Sequence, residues 1–201
     1  MLRRAAVTIL LLWCASLPAR AQSLSGISVG ENVAATSRLG LPPIEKNEMG
    51  PFTVQKWRQP DGNELSVTAE RDTGRIVYAE TDWGGNREGA FSDFRGFLFG
   101  RTSLSDIRRA LGSNGFAFKD RGPAVATAEG IVLFNAYEVE GRPEIIVVFA
   151  TRVKREDAKR AKDIGNIAKL EAIIVGNREY LDTLWGAAKS YDNSYRKIRW
   201  P

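Results

Sequence analysis

Three short segments of alternating apolar and polar residues, joined by two tight turns, constrain the fold of this chain more than any other feature. A Pro-Asp-Gly-Asn turn separates the first segment from the second, and an Asp-Thr-Gly turn separates the second from the third. Strands joined by such turns pair in antiparallel order. In the middle segment Leu65, Val67 and Ala69 alternate with polar residues, which predicts one buried and one solvent-facing side of the sheet. The segments are FTVQKWR (52–58), ELSVTAE (64–70) and RIVYAETDW (75–83).

A second stretch of the chain repeats this order of signals and begins with a clearer helix. Ser103 and Asp106 form the pattern of a capping box, apolar residues follow on one helical face, and Gly112 suits the helix end. β-Branched and aromatic residues then predict three strands, at 130–139, 144–153 and 167–175.

The repeated order predicts an α+β fold of two tandem units, each a helix followed by a three-stranded antiparallel meander. The C-terminal segment of the chain, residues 189–201, is polar, basic and aromatic, and we expect it to pack loosely. The predicted divisions are a signal peptide (1–21), a first unit (22–89), a second unit (90–188) with a charged helical insert at 155–165, and a C-terminal tail (189–201).

Residues 1–21 have the organisation of an export signal. Arg3 and Arg4 precede an apolar run of 13 residues, and small residues flank Arg20 where a signal peptidase would cut. The run is shorter than the roughly 20 residues that a membrane-spanning helix needs. The sequence therefore predicts a periplasmic or secreted protein, cleaved near Ala21.

Cleavage of the signal peptide would change the net charge and the cysteine content of the chain, and both bear on its function. The chain has 29 Lys+Arg and 24 Asp+Glu, and loss of the three signal arginines leaves 26 basic residues, a net charge of +2. That excess does not favour a nucleic-acid partner. The chain has no histidine, and Cys14 leaves with the signal, which excludes His-based triads and cysteine nucleophiles. We predict no catalytic residue, no cofactor and no metal site.

A short glycine-bounded helix motif occurs in both predicted units. It comprises Gly100, Thr102, Asp106, Ile107, Leu111 and Gly112 in the second, and Gly30, Leu39, Gly40 and Pro42 in the first. The motif resembles that of the small outer-membrane assembly lipoproteins (SmpA/OmlA-like), and a tandem pair of such units resembles the β-lactamase inhibitory protein fold. The resemblance implies exported proteins that bind other proteins and catalyse nothing. This chain lacks the anchor cysteine of the lipoproteins and the disulfides of the inhibitor.

Aromatic and acidic residues on the predicted solvent-facing side form the candidate binding surface. Strand parity places Trp57 there, and large exposed aromatic residues commonly anchor protein interfaces. The prediction is an exported, non-catalytic protein-binding or cell-envelope assembly module, whose partner is an envelope protein. The predicted partner-binding residues are Trp57, Tyr78, Glu80, Trp83 and Trp200.

Two alternatives remain open at this stage. Glu80 and Asp82 lie two residues apart on one strand face, as in a carboxylate-dependent hydrolase acting on envelope glycans. The tail interleaves bases with aromatic residues, as in a segment that associates with a membrane surface.

Overall fold

An antiparallel sheet of ten strands organises residues 23–200, the part of the chain that this computed structural model describes. The strand order is β12-β7-β9-β10-β11-β6-β5-β4-β3, with β8 paired to β9, and β1 and β2 form a separate hairpin. The predicted signal peptide lies outside the described residues. The strands are β1 (Ser23–Leu24), β2 (Ile27–Ser28), β3 (Glu45–Met49), β4 (Phe52–Arg58), β5 (Glu64–Glu70), β6 (Ile76–Asp82), β7 (Phe116–Phe118), β8 (Ala124–Ala126), β9 (Ile131–Val139), β10 (Arg142–Val153), β11 (Lys169–Asn177) and β12 (Lys189–Tyr191).

Helices occupy the connections between the strands. A 3-10 helix (Val33–Leu39) precedes β3 and contributes no buried residue. The α-helices are α1 (Leu104–Leu111), α2 (Arg155–Arg160), α3 (Ile164–Ile167) and α4 (Arg178–Trp185). The sequence predicted α1 and a helical insert where α2 and α3 lie, but it did not predict α4.

The predicted division into two helix-plus-three-strand units is wrong. β6, the last strand of the first predicted unit, pairs with β11, the last strand of the second, over Tyr78–Asp82 and Ala172–Gly176. The two groups of strands therefore form one continuous sheet, in which β3 adds a strand that the repeat did not include. The physical reason is that β6 and β11 would otherwise each leave a largely apolar edge with unpaired backbone groups.

The segment between β6 and α1 also belongs to the core. The side chains of Phe94, Phe97 and Phe99 are all buried with residues from both halves of the sheet. Phe94 and Phe97 stack with ring centroids 4.7 Å apart, and both meet Phe149 of β10 edge-on. This segment therefore fills part of the interior beside the core face.

The local predictions are largely confirmed. β4 and β5 have the predicted bounds, and β9, β10 and β11 differ from theirs by at most two residues at either end. In α1 the Ser103 side chain accepts from the Asp106 backbone N–H, and the Asp106 carboxylate accepts from the Ser103 backbone N–H. Gly112 ends the helix in the left-handed conformation, at φ 61°.

The sheet has two differently covered sides. The core face, which carries Leu65 and Val67, packs against α1, the β1–β2 hairpin and the phenylalanine-rich segment. The opposite side, called the second face, is covered at one end by Leu181 and Trp185 of α4. Ser66 and Thr68 on the second face are 9% and 4% exposed, so the prediction of a fully solvent-facing side is wrong at its centre.

The C-terminal tail is packed, contrary to the expectation of a loose segment. Lys189–Tyr191 form β12, and Ile198 is buried and exchanges backbone hydrogen bonds with the end of β9. The Tyr195 hydroxyl donates to Glu138 at 2.6 Å, and the Trp200 ring meets Phe94 edge-on. The tail therefore closes the molecule over both faces.

Candidate functional site

Tyr78, Glu80 and Asp82 alternate along β6 and lie on the second face. Across β5 they stand opposite Thr68, Ser66 and Glu64, and on the other side their neighbours in β11 are Gly176, Ile174 and Ala172. Because β6 is an interior strand, both carboxyl groups are held near the middle of the sheet. On β5, the short side chains of Ser66 and Thr68 leave space above the sheet beside Glu80 and Tyr78.

A cavity of about 290 Å³, here called the acidic cavity, opens on this part of the second face. It occupies the half of the face that α4 does not cover. Its floor consists of short polar side chains of β5, while longer charged side chains of β3 and β4 form its outer wall. The lining residues are Glu45, Val54, Lys56, Ser66, Thr68, Tyr78 and Glu80.

Burial places the Glu80 carboxyl in an unusual protonation range. Burial first, and then the neighbouring Asp82 charge, raise the pKa of Glu80 to about 7. The Tyr78 hydroxyl donates to Glu80 Oε2 at 2.6 Å and acts in the opposite direction, as do the charges of Arg121 and Lys56. Glu80 therefore exists in both protonation states near neutral pH.

Asp82 shares this electrostatic environment. Burial raises the pKa of Asp82, and the Glu64 charge on the facing strand adds to the effect, while Lys56 and Arg152 oppose it. Glu64 is itself paired with Lys56 at 3.4 Å and with Arg58. Within residues 23–200 neither Glu80 nor Asp82 forms an ion pair within 4.0 Å.

Arg121 is the cation whose position sequence reasoning missed. Its guanidinium lies over the rings of Phe134 and Trp185, 3.8 and 4.4 Å from their centroids. Its Nε is buried without a hydrogen-bond partner, and its charge lowers the pKa of Glu80. Arg121 is in a loop that no local pattern places beside β6, and the side of β4 that carries Lys56 was likewise decided only by the pairing of β4 with β5.

The structure brings together two of the five predicted binding residues, Tyr78 and Glu80. Trp57 is on the core face, opposite Leu65, and is 2% exposed, so the expectation that it is a surface residue is wrong. Its parity with Thr53 and Gln55 was inferred correctly. The error was to take that side of β4 as the solvent-facing one, because β4 alone carries apolar residues on both sides.

Trp83 and Trp200 lie away from the acidic cavity. The Trp83 indole N–H donates to the Arg87 carbonyl at 3.2 Å, and its ring packs over Gly100, where a Cβ would come within 2.6 Å of it. Trp200 packs with Phe94 against the interior of the core face. Both side chains are half-buried in intramolecular contacts, and their predicted role in partner binding has not been tested.

Two further observations concern chemistry and membranes. Across the described residues no group of three or more acidic side chains is arranged to hold a metal ion. No helix between residues 23 and 200 is long and apolar enough to cross a membrane.

Comparison with known proteins gives no family. No protein-family model matches the chain, and no curated protein matches it. The resemblance to the outer-membrane assembly lipoproteins and to the β-lactamase inhibitory protein therefore remains a prediction.

Two solved structures are similar in outline. A cysteine-rich secretory protein from Staphylococcus aureus is 10% identical, with a TM-score of 0.46 over 85% of this chain and 50% of that one. An extracellular protein containing an SCP domain from Bacillus anthracis is 9% identical, with a TM-score of 0.48 over 82% of this chain and 49% of that one. The chain spans about half the length of each protein. At TM-scores below 0.5, the likeness carries no argument about this chain.

Proposed function

We propose that the chain is an exported, non-catalytic binding module of the cell envelope and that the acidic cavity is its docking site. The observation that carries the proposal is the half-buried Glu80 carboxyl, which lines an open cavity beside Asp82 without an ion pair among the described residues. The partner is a protein that presents a lysine or arginine side chain to this pair.

The proposed recognition follows from charge. Moving a carboxylate out of water is costly unless a cation accompanies it. A cationic side chain placed between Glu80 and Asp82 would favour the ionised form of both groups. Tyr78 holds one oxygen of Glu80 in place, which leaves the rest of the carboxylate to meet the partner. Lys56, at the cavity wall, is already paired with Glu64 at 3.4 Å, which leaves Glu80 and Asp82 to the partner's cation.

Export is proposed on the signal organisation of residues 1–21. The two solved structures are also of secreted proteins by their descriptions, but they add no weight at that level of similarity. The non-catalytic part of the proposal rests on the absence of histidine and of a mature cysteine.

The test compares proteins captured from a cell-envelope extract by the wild-type chain, Glu80→Gln and Glu48→Gln. Glu48 is a matched control because it is an exposed acid of β3 that does not line the cavity. We expect the same basic partner with wild type and Glu48→Gln, and its loss with Glu80→Gln. Retention of every captured protein by Glu80→Gln would contradict the proposal.

One observation favours a second candidate function, hydrolysis of envelope glycans. A carboxyl with a pKa of about 7 beside a second acid resembles the acid pair of glycosidases. Residues two apart on a strand are separated by about 7 Å, near the spacing used by inverting enzymes. Incubation of peptidoglycan with wild type and Glu80→Gln tests this. New reducing ends only with wild type would support the enzyme, and none with either would exclude that substrate.

The third function, association with a membrane surface through the tail, stays a prediction. Tyr195 and Trp200 are engaged within the protein, and Arg199 pairs with Glu140. Binding through the tail would have to compete with these contacts.

A further inference from the structure

A second cavity, here called the edge cavity, lies beside a break in the pairing along β9. β8 pairs with Ile131–Leu133, the Phe134 backbone N–H donates to the Pro123 carbonyl just before β8 at 2.9 Å, and β7 pairs at Ala136, so neither short strand pairs with Asn135. The cavity has a volume of about 310 Å³ and is closed on its other sides by α1 and β12. It is distinct from the acidic cavity, with which it shares no lining residue.

Arg108 of α1 lines the edge cavity with a guanidinium that has no anionic partner. Within residues 23–200 it forms no ion pair, and its one hydrogen bond, to Asn135 Oδ1, is 3.5 Å long. Its Nε is buried and has no acceptor. Buried donors are nearly always paired, and an unpaired one destabilises the fold by roughly 1–3 kcal/mol.

The surrounding polar groups are already engaged. Asn135 Nδ2 donates to the Asn114 carbonyl at 2.8 Å, and Asn114 Nδ2 donates to Asp192 at 3.2 Å. Asp192 also accepts from the backbone and hydroxyl of Ser194. Arg108 is therefore the cationic group in this cavity that lacks an ionic partner among residues 23–200, and its planar fork matches a carboxylate.

The remaining walls specify the rest of the ligand. Leu104 and Leu133, which pack together on the core face beside Arg108, form an apolar side of the cavity. Asp192 is close enough to Arg108 for that cation to lower its pKa, so a negative charge already stands near the opening. One arginine beside one carboxylate disfavours a dianion such as phosphate, and an apolar wall favours a hydrocarbon group next to the charge.

We propose that the edge cavity binds a small monocarboxylate whose apolar group packs against Leu104 and Leu133 while its carboxylate pairs with Arg108. The site is independent of the proposed partner-binding function. Asn135 positions the guanidinium, and the break between β7 and β8 admits the ligand to the edge of β9.

Benzoate is a suitable probe. Its binding can be followed through the amide chemical shifts of the isotope-labelled mature protein. We expect saturable shifts at Gly115, Phe116 and Asn135, and an affinity reduced at least about tenfold in Arg108→Gln. Arg109→Gln is the matched control, because Arg109 is on the same helix but is exposed and paired with Asp106. Its affinity should equal that of wild type.

Two further measurements leave Arg108 unchanged. Benzamide, which has the same shape without the charge, should bind at least about tenfold more weakly to the wild-type protein than benzoate. Asp192→Asn should bind benzoate more tightly, because a repelling charge is removed. The proposal is overturned by equal binding of benzamide, by unchanged affinity in Arg108→Gln, by displacement of benzoate with equimolar phosphate, or by no saturable shift.

Discussion

Trp57 and Phe91 show that tertiary packing decides whether a large aromatic side chain is buried. The side of the strand or loop that other parts of the chain cover becomes the buried one. Trp57 is on a strand whose sequence alternates weakly, yet the residue is 2% exposed in the core. Phe91, in a loop next to three buried phenylalanines, is 85% exposed. The two side chains therefore contribute very differently to stability.

Replacing Trp57 with alanine should lower the free energy of unfolding by about 3–5 kcal/mol, because a large buried ring leaves a cavity. Urea unfolding followed by circular dichroism measures the change. Phe91→Ala is the control and should stay within about 0.5 kcal/mol of wild type. Similar values for the two variants would contradict the burial of Trp57.

The Glu80 carboxyl should make the stability of the protein depend on pH. The unfolded chain loses this proton near pH 4.5 and the folded chain only near pH 7, so between these values the folded state binds more protons. The free energy of unfolding should therefore fall as pH rises through this window, by up to about 3 kcal/mol. Glu80→Gln should remove this decline, measured by urea unfolding from pH 4.5 to 8. Parallel curves for the two proteins would mean that Glu80 titrates at its ordinary pKa.

At the scale of single elements, α1 is, among the α-helices of residues 23–200, the one whose first and last residues are both fixed by local capping contacts. Ser103 and Asp106 satisfy each other's backbone donors, and Gly112 takes the left-handed conformation at the end. α4 begins with a similar cap at Asn177, but its apolar side chains are stabilised by packing on the second face of the sheet and not by local contacts. Local signals define an element well when the contacts that stabilise it are local.

Ser103→Ala should lower the free energy of unfolding by about 1 kcal/mol, because the Asp106 backbone N–H loses its acceptor. Ser105→Ala is the matched control on the same helix, where no capping bond is made. Thermal unfolding measures both. An equal effect of the two substitutions would show that the cap contributes nothing specific.

At the scale of the whole molecule, the pairing of β6 with β11 decides the architecture. Val175 and Ala79 face each other across this junction and are both fully buried. The core face is lined by side chains from both halves of the chain, including Trp57 and Phe149. The two halves should therefore unfold together.

Residue-resolved urea unfolding by NMR tests this cooperativity. Amides of β5 and β10 should lose intensity at one common midpoint in wild type. Val175→Ala should lower that midpoint equally for both strands, with a loss of about 2 kcal/mol. Two separate midpoints would show that each half is stable without the other.

The candidate site was partly accessible from sequence. Alternation along β6 placed Tyr78, Glu80 and Asp82 on one side of one strand, and that grouping holds. Arg121 was inaccessible, because its place near Glu80 depends on a loop folding back over Phe134 and Trp185. The same holds for Arg108, whose cavity exists because β7 and β8 stop short of each other along β9.

The amino-acid sequence by itself determined the six longer strands β4, β5, β6, β9, β10 and β11, the tight turns between β4, β5 and β6, and the caps of α1, because these depend on residues within a few positions of one another. The tertiary structure alone decided that the strands form one sheet, which side of β4 is buried, and that Glu80 lies in a cavity. These features depend on contacts between β6 and β11 and between α4 and the second face. The contacts between β6 and β11 join residues about a hundred positions apart. Their energy comes from burying surfaces that no local pattern pairs in advance.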